Sequence, residues 1–155
     1  NNRIGLAVES SGGFTLSNHT FEKCGFLPGI LLMHILSESN LRLSELKQRI
    51  YDTYGNRIFI EKQYTFTPDQ LLIIEKTFLT LEESKFQSYF ELTIDCIQNQ
   101  DGLKINFNDR SWILIRFSGT EPVIRVYAES ITQEQVTKLY TSMMNAINEH
   151  ISVTN

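Results

Sequence analysis

Apolar positions along the chain fall into two regimes that change over near Gly55. Before it, Ile4-Gly5-Leu6-Ala7-Val8 is a short unbroken apolar run, the pattern of a strand buried on both faces. Glu9-Ser10-Ser11-Gly12-Gly13 must then be a loop, because adjacent glycines neither extend a strand nor start a helix well. A helix is predicted from about Pro28 to Ser39, with the proline in the first turn, where its missing N–H costs nothing. A second helix places Leu43, Leu46, Ile50 and Tyr54 at helical spacing and stops at Gly55. Strand, loop and two helices, with no earlier half, read as the tail of an α/β layer.

Beyond Gly55 the pattern is that of a self-contained α+β unit. Arg57 to Phe66 is a strand. Thr67-Pro68-Asp69-Gln70 is a capping box with proline at the first helical position, and Leu71, Ile74, Phe78 and Leu81 line one helix face. Leu92 to Asn99 and Leu103 to Phe107 flank Asp101-Gly102, a hairpin turn pair. Ser111 to Phe117 and Val123 to Glu129 are two further strands. Thr132 and Gln135 form a second capping box, ahead of an amphipathic helix carrying Val136, Leu139, Tyr140, Met143 and Ile147. The fold class is therefore α+β: residues 55–155 form a mainly antiparallel sheet packed by helices, and residues 1–54 form a partial α/β/α layer.

Composition narrows the partners. With 155 residues, 41% hydrophobic and 21% charged, the chain has the make-up of a globular protein, and no apolar run is long enough to span a bilayer. A net charge of −4 gives no electrostatic reason to expect nucleic acid or an anionic membrane. Cys24 and Cys96 lie far apart, without a CxxC pair, which fits a reducing, cytoplasmic setting. His19, His34 and His150 show no ligand spacing, and Asn18-His19-Thr20 has no secretion signal that would give it meaning.

Two loops hold chemistry. Arg116-Phe117-Ser118-Gly119-Thr120-Glu121-Pro122, followed by Arg125, supplies what a phosphate needs: a guanidinium fork, two hydroxyls and a glycine that allows close backbone approach. A hairpin would return Arg125 towards Arg116, giving an anion nest between strands. The bland alternative is a tight turn whose arginines are solvated or paired to Glu121 and Glu129. The second loop, Glu9 to Gly13, sits at the carboxyl end of a strand, where α/β sheets bind ligands. Glu9 and Ser11 could accept from and donate to sugar hydroxyls, and Lys23 could add positive charge.

In this order the two loops resemble those of the α-D-phosphohexomutases, the phosphoglucomutase/phosphomannomutase superfamily. Arg116 to Arg125 fits each fixed position of that family's Arg-x-Ser-Gly-Thr-Glu-Pro phosphate loop and its following arginine. Val126-Tyr127-Ala128-Glu129 continues the pattern. Glu9, Ser11 and Gly12 match the family's Gly-Glu-x-Ser-Gly sugar loop, with Val8 in place of the glycine. Glu22-Lys23-Cys24-Gly25 matches Glu-Lys-Asp-Gly except at Cys24. The resemblance implies that residues 1–54 end the third domain and residues 55–155 make up the fourth domain of a four-domain enzyme.

The resemblance further implies a mutase that interconverts hexose 1-phosphate and hexose 6-phosphate through a phosphoserine and a hexose 1,6-bisphosphate intermediate. The phosphoserine and the Mg2+ ligands would lie on missing N-terminal domains, so this chain would carry no catalytic or metal-binding residue. Arg116, Ser118, Gly119, Thr120 and Arg125 would hold the phosphate that is not reacting. Glu9, Ser11 and Lys23 would read the sugar. Gly13, where some phosphomannomutases have His, tilts the expectation towards glucose phosphate. A stand-alone phosphosugar-binding module is the competing expectation; a nucleic-acid binder is disfavoured by the charge.

Overall fold

The computed structural model describes residues 5–9, 11–17, 19 and 22–152. Two compact units divide the chain, Asn1–Tyr54 and Gly55–Asn155.

In the first unit, β1 (Leu6–Val8) and β2 (Phe14–Leu16) pair antiparallel as a hairpin, and α1 (Phe26–Ser39) and α2 (Leu43–Tyr54) follow. Ile4, the first residue of the predicted strand, lies outside the described residues. The expectation of a strand buried on both faces is not met. Leu6 is 51% and Val8 63% exposed. The physical reason is that a ribbon of two three-residue strands buries little apolar surface by itself. The apolar run is one suited to a larger sheet. The same holds for α1, which has no buried residue and leaves Leu32 and Ile35 in solvent. It begins two residues before Pro28 and ends on Asn40, whose left-handed φ of 53° lets its N–H bond to the Leu36 carbonyl.

The second unit is built differently. β3 (Ile58–Thr65), β4 (Ile94–Gln98), β5 (Leu103–Phe107), β6 (Trp112–Phe117) and β7 (Val123–Ser130) form one antiparallel sheet in the order β3-β7-β6-β5-β4. α3 (Pro68–Thr80) and α5 (Gln133–Ser152) pack on one face, and a short α4 (Glu83–Gln87), which periodicity over five residues cannot reveal, adds Phe86 to the core. Ile74 and Phe78 of α3 meet Val136, Leu139, Met143 and Ile147 of α5. Beneath them lie Ile105, Ile113, Ile115, Ile124 and Val126, all fully or almost fully buried. Strict alternation then sends Trp112, Leu114 and Arg116 of β6, and Arg125 and Tyr127 of β7, to the opposite face.

Local chemistry fixes these elements. Thr67 Oγ1 accepts from the Gln70 N–H while Gln70 Oε1 accepts from the Thr67 N–H, completing the capping box of α3. At α5, Thr132 Oγ1 accepts from the Gln135 N–H, but the Gln135 side-chain amide reaches away to Asp109 Oδ2 at 2.7 Å. Asp109 also receives the buried Ser111 hydroxyl, which pairs in turn with that of buried Ser130. This network ties the β5–β6 turn to the start of α5. Between β4 and β5, Gly102 has φ +95°, and a Cβ placed there would fall 2.2 Å from the Ile115 carbonyl oxygen. The turn therefore lies directly on the β6 backbone.

Gly102→Ala combines left-handed strain with a backbone clash, and is expected to lower stability by roughly 2–5 kcal/mol. Chemical denaturation followed by tryptophan fluorescence measures this, since Trp112 lies on the strand under stress. Unchanged stability would mean that the turn does not sit against β6.

Candidate functional site

The Arg116 loop joins β6 to β7. Its geometry follows from the register of those strands, which sets Arg116 directly opposite Arg125 and Phe117 opposite Ile124. Both arginines thus stand side by side on the face away from the helices. Like charges directly opposite on a sheet repel, a local cost that an anion between them would remove. Among the described residues, neither arginine pairs with Glu121 or Glu129, and Arg116 stays partly solvated, as the bland alternative also allows. Arg116 Nη2 pairs with the Asp101 carboxylate at 3.1 Å, and Arg125 Nε donates to Gln63 Oε1 at 3.4 Å.

The loop turns on its own hydroxyls. Ser118 Oγ accepts from the amides of Thr120 and Glu121 at 3.4 and 3.2 Å and lies 3.5 Å from Thr120 Oγ1. These are long contacts, which a charged acceptor can readily replace. The Ser118 amide donates to the Val123 carbonyl, and Phe66 donates to that of Pro122, pinning the loop exit to the end of β3. A Cβ built on Gly119 meets nothing within 4 Å, so internal packing does not call for a glycine there. Gly119 and Thr120 are exposed, and Arg116 keeps 45% of its side chain in solvent.

In the first unit, the loop between β1 and β2 brings three of the expected residues together. Glu9 Oε2 accepts from Lys23 Nζ at 2.7 Å and from Ser11 Oγ at 3.2 Å. The Glu9 N–H donates to the Gly13 carbonyl and the Gly12 N–H to the Glu9 carbonyl, closing a tight turn in which Gly12 takes φ +85°. Gly13 matters sterically, because a Cβ there would stand 3.1 Å from Glu9 Oε2 and 3.2 Å from Lys23 Cδ. The Cys24 N–H donates to the Phe14 carbonyl, which holds Lys23 against the loop. Ser10 lies outside the described residues. What spacing alone did not reveal is β2, the strand that turns this loop into a hairpin, and the two polar flanks Asp101 and Gln63. Asp101 reads only as a turn residue in the sequence, and Gln63 only as an outward strand position.

Family comparisons agree on both units. A sequence profile of the phosphoglucomutase/phosphomannomutase C-terminal domain matches residues 66–146, and one of the alpha/beta/alpha domain III matches residues 1–54. The chain belongs to the phosphoglucomutase/phosphomannomutase family. A probable phosphoglucosamine mutase of Methanosphaera stadtmanae is 45% identical over 117 residues, which is 74% of this chain and 23% of that protein. A phosphopentomutase of Thermococcus kodakarensis is 34% identical over 121 residues, 76% of this chain and 24% of that one. The fold also superposes on a phosphoglucomutase/phosphomannomutase family protein from Burkholderia thailandensis with a TM-score of 0.60 at 17% identity, covering 94% of this chain and 28% of that one. This chain spans about a quarter of the length of these relatives. The exposed apolar strand and helix of the first unit lie within residues 1–54, the segment that matches the domain III profile.

Among the described residues no group of three or more His, Cys, Asp or Glu is placed to hold a metal ion. No described helix is long and apolar enough to cross a membrane.

Gly119→Ala is expected to leave stability within about 0.5 kcal/mol of the parent. Yet it should abolish the response of the Thr120 amide to added inorganic phosphate in an NMR titration. A variant that still responds would show that the loop backbone does not touch the anion.

Proposed function

We propose that this chain is the substrate-binding portion of a phosphosugar mutase that moves a phosphoryl group between the 1- and 6-positions of a hexose. The observation that carries the reading is the directly opposed pair Arg116 and Arg125, flanking a loop of hydroxyls and free-standing glycine in a chain of this family. Two guanidiniums neutralise a phosphate dianion, while the Gly119 and Thr120 backbone and the Ser118 and Thr120 hydroxyls direct its oxygens.

In the proposed reaction, a phosphoserine on N-terminal domains of the same polypeptide gives its phosphoryl group to a sugar hydroxyl. The serine O–P bond breaks and the sugar O–P bond forms, and the proton lost by the sugar hydroxyl is balanced by one gained at the freed serine oxygen. The resulting 1,6-bisphosphate turns over and returns its other phosphoryl group to the serine. The task of this chain in both halves is positional. Arg116, Ser118, Gly119, Thr120 and Arg125 grip whichever phosphate is not reacting, so each orientation presents the other end to the serine. Glu9, held by Lys23 and Ser11, offers a fixed carboxylate to ring hydroxyls. Mg2+ would serve the transferring phosphoryl group from ligands on those other domains, in a cytoplasmic enzyme.

The substrate class is a hexose or hexosamine phosphate. Gly13 favours glucose phosphate over mannose phosphate, whereas the names of several relatives draw the reading towards glucosamine phosphate. Kinetics of the full-length enzyme on the three sugar phosphates would rank them.

Arg116→Ala in that enzyme removes a charged, forked contact, and kcat/KM should fall by the equivalent of about 2–4 kcal/mol. Near-normal kcat/KM would remove the loop from substrate binding. Lys23→Met, an exposed substitution, should leave the thermal midpoint unchanged. It should raise KM for the sugar phosphate, and an unchanged KM would take Lys23 and the Glu9 it holds out of the sugar site.

A further inference from the structure

The two arginines of the loop do not stand alone. Across the sheet, β3, β7 and β6 carry Gln63, Arg125 and Arg116 in one continuous row, since Gln63 is registered opposite Arg125 and Arg125 opposite Arg116. The row is closed on the β5 side by Asp101, whose carboxylate meets Arg116 Nη2 through both oxygens, one at 3.1 Å as hydrogen-bond acceptor and the other at 3.1 Å as ion-pair partner. The order is acceptor, cation, cation, acceptor. Each outer acceptor draws its arginine away from the other, opposing their mutual repulsion and leaving the space between them to an anion. Asp101 engages one terminal nitrogen of Arg116, so Nε and Nη1 keep their protons for a ligand.

Asp101 is also held in place by backbone. It precedes Gly102, the residue whose Cα lies so close to the Ile115 carbonyl that a Cβ could not fit, and which lies 3.2 Å, by that same Cβ position, from Arg116 Cα. The hairpin turn is therefore packed against the backbone that carries Arg116. We propose that Asp101, with Gln63 on the opposite flank, is a positioning residue of the phosphate site, pre-setting the guanidinium of Arg116 for a dianion that Asp101 does not itself touch. This rests on the reading of residues 116–125 as the phosphate site and adds two residues to it.

The proposal makes a prediction opposite in sign to simple electrostatics. Asp101→Asn removes a negative charge beside an anion site, and Coulomb's law alone would tighten binding. A positioning role weakens it instead, because a freed arginine must be ordered at the cost of binding energy. The test titrates inorganic sulfate, whose charge is constant across the working pH range, into the 15N-labelled 155-residue chain. Gly119 and Thr120 amides and the Arg116 Nε–H signal are followed. For Asp101→Asn the sulfate Kd should rise about three- to tenfold, the thermal midpoint should stay put, and the Arg116 Nε–H should become more mobile without ligand. Gln63→Ala should give a smaller rise in Kd. Equal or tighter binding by Asp101→Asn overturns the proposal. So does a weaker Kd accompanied by a lower thermal midpoint and displaced β5–β6 amides, which would mark Asp101 as structural only. Failure of the parent chain itself to respond at Gly119 and Thr120 would instead reject the underlying phosphate site.

Discussion

The phosphate site proposed for this chain turns on one register, the pairing of β6 with β7 that sets Arg116 against Arg125. Two guanidiniums on adjacent strands are an arrangement a folding chain should avoid, and a slip of one residue would turn one of them towards the apolar core. The register is held from the other face. Ile113, Ile115, Ile124 and Val126 are buried against α5 only when the arginines point outward. Core packing thus dictates the placement of a charge pair that packing alone does not need. The loop inherits its position from the same constraint, since its ends are the last residue of one strand and the first of the next.

The helices and the meander of the second unit were legible because their patterns are long and their punctuation is explicit. Thr67-Pro68 opens a helix, Asp101-Gly102 turns a hairpin, and alternating isoleucines mark the inner face. The candidate site was legible for a related reason: residues 116–125 are contiguous, so sequence proximity stands in for spatial proximity. What escaped was whatever depends on partners distant in sequence. Arg116 has its acceptor on the preceding hairpin turn and Arg125 has its own on β3, and neither partner is marked by residue type. Gln135 was expected to close a capping box, but it spends its amide on Asp109, because that carboxylate sits beside the first turn of α5.

The first unit shows the complementary failure. The run from Ile4 to Val8 reads as a strand buried on both faces, yet in this chain Leu6 and Val8 face solvent. The two strands present do not bury the run, because burial is a property of neighbours and not of the segment. The match of residues 1–54 to domain III of the family supplies the missing context. By contrast, Glu9, Ser11 and Lys23 meet without those neighbours, since the hairpin turn and the Cys24 to Phe14 hydrogen bond are internal to the segment.

The most direct test of the account is a crystal structure of this chain grown with a hexose 1-phosphate. The account predicts phosphate density between the Arg116 and Arg125 guanidiniums and against the Gly119 amide, with Asp101 still on Arg116. A well-ordered loop without phosphate, and the ligand bound at another surface, would contradict it.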